Sequence, residues 1–106
     1  MEGVTAVVKH IVLWSLKDAA HRNRKHENAR MIKEKLEALR GVVPGLQSIE
    51  VGVDFSRTDQ SLDIALCCVF DSREALQAYQ EHPAHKAAVA FIREARRERC
   101  VVDYEV

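Results

Sequence analysis

The order strand, helix, strand, strand, interrupted helix, strand predicts a single α+β domain for this chain of 106 residues. Three observations carry that prediction. Apolar residues alternate in four stretches, they recur at helical spacing in the intervening ones, and Pro83 falls inside the second helical stretch.

Val7 to Leu16, rich in branched and aromatic residues, predicts the first strand. Alternation places Val8, Val12, Trp14 and Leu16 on one face and Val7, Ile11 and Leu13 on the other. A sheet covered by helices on one side needs only one apolar face, so the second asks for another layer. His10 shares the face of Val12 and Trp14 and is expected inside, either as a hydrogen-bonded core residue or as a binding residue.

From about Arg22 to Arg40, Ala29, Ile32, Leu36 and Leu39 recur at helical spacing between charged residues. Asp18 and Asn23 are both suitable caps, Gly41 permits a stop, and Pro44-Gly45 marks a turn. Leu46 to Phe55 reads as a half-exposed strand with Ile49, Val51, Val53 and Phe55 on one side. A polar connection leads to a third strand, Leu62 to Phe70, which should pair with the second as a hairpin. Asp63 falls opposite its main apolar face, beside Ala65, Cys67 and Val69, and needs a partner if enclosed. Asp71-Ser72-Arg73-Glu74 fits a capping box with Asp71 as the cap, and Ser72 competes for that role. Ala75, Leu76 and Tyr79 then face inward, Ala84 to Arg97 continues as an amphipathic run, and Cys100 to Val106 alternates as the last strand. This order suits a ferredoxin-like sheet with both helices on one side.

Sixteen basic and sixteen acidic residues cancel, which argues against nucleic acid or an anionic membrane as a partner. The cluster Arg93, Arg96, Arg97 and Arg99 is interleaved with Glu94 and Glu98 and reads as a solvated helix face. The three cysteines suit buried small hydrophobes rather than a disulfide framework. The apolar start from Val4 to Leu16 carries Lys9 and His10 in its middle, unlike a signal peptide, and no stretch reaches the length of a membrane span. The expectation is a soluble cytoplasmic protein.

The chemistry-bearing stretch is Tyr79-Gln80-Glu81-His82-Pro83-Ala84-His85. Pro83 disfavours a helical conformation at His82 but is welcome as the first residue of a new helix, so the chain should bend there. A bend can return Tyr79 and His85 to one pocket, where imidazole and phenol could serve as a general base and its orienting partner. In the alternative reading His82 caps the second helix, Tyr79 packs in the core and His85 lies at the surface. Metal binding by His82 and His85 is a third reading, but Pro83 upsets the helical spacing and no strong third ligand stands nearby. No bound metal is therefore expected.

Val8-Lys9-His10-Ile11-Val12-Leu13, Leu76-x-x-Tyr79-x-x-His82-Pro83-x-His85 and Val101-Val102-Asp103-Tyr104 resemble the stress-responsive α/β-barrel, or Dabb, domain family over essentially the full length. The resemblance implies a dimeric α+β barrel in which two sheets pack face to face with the helices outside. It also extends to plant polyketide cyclases of the olivetolic acid cyclase type, which perform an intramolecular aldol reaction without a cofactor. By that likeness Tyr79 and His85 match the catalytic pair, and His10 and Asp103 match supporting pocket positions. Asp63 stands where those cyclases carry another pocket histidine, which changes the charge of the site. The expected partners are a second copy of the chain and a small apolar carbonyl-containing metabolite bound near Tyr79 and His85, with His82, His10, Asp63 and Asp103 as candidate binding residues.

Overall fold

The computed structural model describes residues 6–106. Val4, at the head of the apolar start, lies outside the described residues. The elements in chain order are β1 (Val8–Leu16), β2 (Ala19–Ala20), β3 (Asn23–Arg24), α1 (Lys25–Glu37), β4 (Leu46–Val53), β5 (Ile64–Phe70), α2 (Arg73–Glu81), α3 (Pro83–Ala95) and β6 (Arg96–Glu105). The main sheet has four antiparallel strands in the order β4-β5-β1-β6. This is the ferredoxin-like α+β arrangement.

Val12, Trp14 and Leu16 of β1 and Leu66, Cys68 and Phe70 of β5 form the inner face of the sheet, packed with Ile32, Leu36, Tyr79 and Ile92 from the helices. Burying each large side chain contributes roughly 1.5–3 kcal/mol, which fixes the register because a slip by one residue would turn these chains outward. The molecule is a slab of 51 × 30 × 17 Å, one sheet and one helical layer thick. Its outer face is not covered. Ile11 stands opposite Val102 and Cys67, and Leu13 opposite Cys100 and Ala65, so these side chains share that face. Leu13 is 38% exposed and Val102 61% exposed.

Three local features differ from the sequence expectation. First, neither Asp18 nor Asn23 caps α1. The cap is Arg24, whose amide donates to the Glu27 carboxylate at 2.8 Å, after a small hairpin formed by β2 and β3. Its turn residues His21 and Arg22 have φ of 53° and 62°, a left-handed conformation that a sequence signals through Gly or Asn, neither of which is present. Stacking of the His21 ring on Phe91 at 4.0 Å holds the hairpin to α3. Second, Ser72 rather than Asp71 caps α2, accepting from the Ala75 amide at 3.0 Å, while Asp71 accepts from Gln47 of β4. Third, α3 ends at Ala95 and the last strand begins at Arg96, earlier than the alternation from Cys100 implied.

Gly45 sits where the α1–β4 loop meets α2. At φ +83°, an added Cβ would come within 2.6 Å of the Ala75 Cβ, so the close approach requires glycine.

Candidate functional site

Pro83 decides the local geometry. It ends α2 and occupies the first position of α3, where its missing amide hydrogen would have had no partner. His82 between them is extended, and its Nδ1 accepts the Ala84 amide at 3.1 Å, so His82 caps α3. The bend lets Tyr79 and His85 pack with ring centroids 4.1 Å apart.

His85 lines a cavity of about 560 Å³ between α3 and the inner face of the sheet, together with His10, Val12, Trp14, Leu66 and Ile92. That volume is within the usual range for small-molecule sites. His10 is 2% exposed, and its Nδ1 donates to Asp103 Oδ1 at 2.5 Å across the β1–β6 pair. His85 has a similar arrangement: its Nδ1 lies 3.4 Å from the Gln80 carbonyl, which can only accept, so the lone pair resides on Nε2. Burial lowers the pKa of His85 from its ordinary value. The Gln80 carbonyl opposes that shift, and the nearby His10 and Arg99 reinforce it. His85 is therefore neutral near pH 7.

Tyr79 is fully buried, with Phe70 at 5.0 Å and His10 at 6.2 Å between ring centroids. Its ring backs His85, but it is not among the residues lining the cavity. Among the described residues its hydroxyl has no conventional hydrogen-bond partner; the Cys68 thiol, a weak donor and acceptor, is its polar neighbour. Burial raises the phenol pKa far above its usual range and pushes the Cys68 thiol up to about 12, so both keep their protons. Tyr79→Phe should accordingly leave stability unchanged or raise it by up to about 1 kcal/mol in urea unfolding, because it removes an unpaired polar atom and keeps the ring. A loss of stability beyond about 1 kcal/mol would mean that the hydroxyl has a stabilising partner.

Tyr79, His85, His10 and Asp103 are thus brought together. Asp63 is not. It precedes β5, accepts from the Leu16 amide at 2.7 Å and pairs with Lys25. Leu16 lies roughly 20 Å further along β1 than His10 at the usual rise of a strand. Asp63 lines a separate recess with Lys25 and His26. His82 is occupied as a cap and does not line the cavity. Among the described residues no group of three or more His, Cys, Asp or Glu is placed to hold a metal ion, and no helix is long and apolar enough to cross a membrane.

The basic cluster needs correction. Arg93 alone of its four arginines lies on α3; Arg96, Arg97 and Arg99 are on β6, and Arg93, Arg96 and Arg99 line the cavity. Continuing the alternation of the last strand backwards from Asp103 would have placed Arg99 on the face of His10.

The fold and site together define a ferredoxin-like α+β domain with a histidine-bearing cavity between its sheet and its helices. Residues 8–106 match the Stress Responsive A/B Barrel Domain, Dabb, and the chain belongs to that family. It is 34% identical over 88 residues to an uncharacterized protein of Streptomyces coelicolor, covering 83% of this chain and 89% of the other. A dimeric protein of unknown function and ferredoxin-like fold from Bacteroides fragilis is 35% identical with a TM-score of 0.84, covering 94% of this chain and 96% of that one. Hydroxynitrile lyase from Passiflora edulis has a TM-score of 0.80 at 16% identity, with 97% and 95% of the chains covered, a likeness of fold alone.

Proposed function

We propose that this chain is a cytoplasmic homodimer that holds a small apolar carbonyl-containing metabolite in the cavity beside α3, with His85 as general base. The observation that carries the reading is His85 packed on Tyr79 at 4.1 Å and lining a cavity with Val12, Trp14, Leu66 and Ile92, where burial lowers its pKa. The dimer is supported by the uncovered apolar outer face and by the dimeric description of the Bacteroides relative. The three free thiols suit a reducing compartment, although only Cys68 is buried as expected, Cys67 being half-buried and Cys100 exposed on the uncovered face.

In this reading Nε2 of His85 takes a proton from the carbon next to a carbonyl, leaving an enolate and an imidazolium. In the polyketide cyclase-like form of the reaction, the enolate carbon attacks a second carbonyl of the same molecule. The resulting alkoxide then recovers the proton, so neither metal nor cofactor enters the balance. Tyr79 orients His85 through ring packing, and His10, held by Asp103, lines the same space.

The test follows deuterium exchange at the activated methylene of a linear diketone in heavy water by NMR. Wild-type protein should accelerate exchange, and His85→Gln should remove about 10²-fold or more of that acceleration. Activity should be flat above the ordinary imidazole value of 6.5 and fall only at lower pH, because the base stays unprotonated down to its lowered pKa. Stability has a related sign. The unfolded chain takes up the proton first as pH falls, so His85 costs stability progressively between the ordinary and the lowered pKa. Undiminished exchange in His85→Gln would overturn the assignment of the base.

A further inference from the structure

Lys86 and Arg93 of α3 and Arg96 and Arg99 of β6 line the same cavity as His85, and no carboxylate lines it. Among the described residues, none of the four lies within ion-pair distance of an acid, whereas Arg73 pairs with Glu105 and Arg97 with Asp18. Lys86, Arg93 and Arg99 are exposed and Arg96 is half-buried, while Val12, Trp14, Leu66 and Ile92 are buried. The cations therefore lie on the exposed rim and the apolar residues in the interior. In the β1–β6 register Arg99 stands opposite Trp14 and Arg96 opposite Leu16, which sets both guanidinium groups at the end of the apolar space. The charge of Arg99 reaches inward far enough to favour the ionised phenol of Tyr79 and the neutral form of His85. Arg93, Arg96 and Arg99 lie around the junction of α3 and β6, where their like charges repel one another and a bound anion would relieve that repulsion.

We infer that the ligand of this cavity is an amphiphilic anion, with its apolar body against Trp14, Leu66 and Ile92 and a carboxylate or phosphate head at Arg96 and Arg99. The inference rests on the cavity being the ligand site and adds an anionic head to the apolar ligand body proposed above. A guanidinium fork matches either head through paired hydrogen bonds.

Trp14, the single tryptophan of the chain, lines the cavity, so its fluorescence reports occupancy. The full chain is titrated at about pH 8, where a carboxylate is ionised, with octanoate, octyl phosphate and octanol. Either or both anions should bind at least about tenfold more tightly than octanol, and added salt should shrink the difference. Tighter binding of octanoate marks a carboxylic acid as the natural class; tighter binding of octyl phosphate marks a phosphate ester. The double variant Arg96→Gln/Arg99→Gln should lose the preference and keep octanol binding, and Arg96→Lys/Arg99→Lys should retain most of it. If the glutamine double variant also loses octanol, Arg99→Gln alone, at an exposed position, makes the comparison. Octanol binding as tightly as both anions, or a preference that survives the glutamine substitutions, overturns the anion assignment and leaves the cavity reading standing. No response of Trp14 to any of the three compounds overturns the cavity reading and this inference with it.

Discussion

In the proposed homodimer, Val102→Glu is expected to leave only monomer at micromolar concentration. In one copy of the chain Val102 is 61% exposed, and a substitution at such a position ordinarily changes stability by no more than about 0.5 kcal/mol. A second sheet packed on the outer face would instead bury the new carboxylate beside Ile11 and Tyr104, with Lys9, opposite Tyr104, as the only cation near it in the register, a cost of a few kcal/mol. The dissociation constant should rise by about 10³-fold or more. Sedimentation velocity over a dilution series measures the change, with Val102→Thr as a control that should remain largely dimeric. A wild-type chain that is monomeric at every concentration, or a Val102→Glu variant as dimeric as wild type, would remove the outer face as the contact between copies. Phe55, 91% exposed, lines a shallow recess with Leu13, so the uncovered apolar surface extends beyond Val102. A single helical layer leaves such a face on any sheet that is apolar on both sides.

The second large effect is expected at Phe70. It is fully buried at the end of β5 and faces both Tyr79 and His10, at 5.0 Å and 6.4 Å between ring centroids. Phe70→Ala should cost about 3–5 kcal/mol, from lost transfer energy and the hole left behind. For a domain of this size the melting temperature should fall by roughly 15 °C or more. Phe70→Leu fills more of the volume and should cost no more than about 1.5 kcal/mol. The alanine variant should also weaken ligand binding, since Tyr79 and His10 lose the surface that holds their rings. A change below about 1 kcal/mol for Phe70→Ala would show that the site does not depend on this packing.

Much of the fold was legible because its signals are local. Alternation in β1 and β5 and helical spacing in α1 identify their own elements, and the stop at Pro83 follows from a missing amide hydrogen. The inward placement of His10 was legible for the same reason. The hairpin at His21 and Arg22 was not, because its left-handed turn carries no glycine and is held by stacking on Phe91, far away in the chain. Nor was the choice between Asp71 and Ser72 as a cap. Both side chains suit the role, and Gln47 engages one of them.

From residue order alone come the α+β architecture, the strand with two apolar faces and the break that separates α2 from α3. Only the folded chain decides that His82 is a cap while His85 reaches the cavity, that Asp63 serves Leu16 and Lys25 instead, and that three arginines read as a solvated helix face surround the opening. The physical reason is range. Periodicity and backbone chemistry act between near neighbours, whereas a partner, a cavity wall or an unpaired charge exists only once distant strands and helices have met.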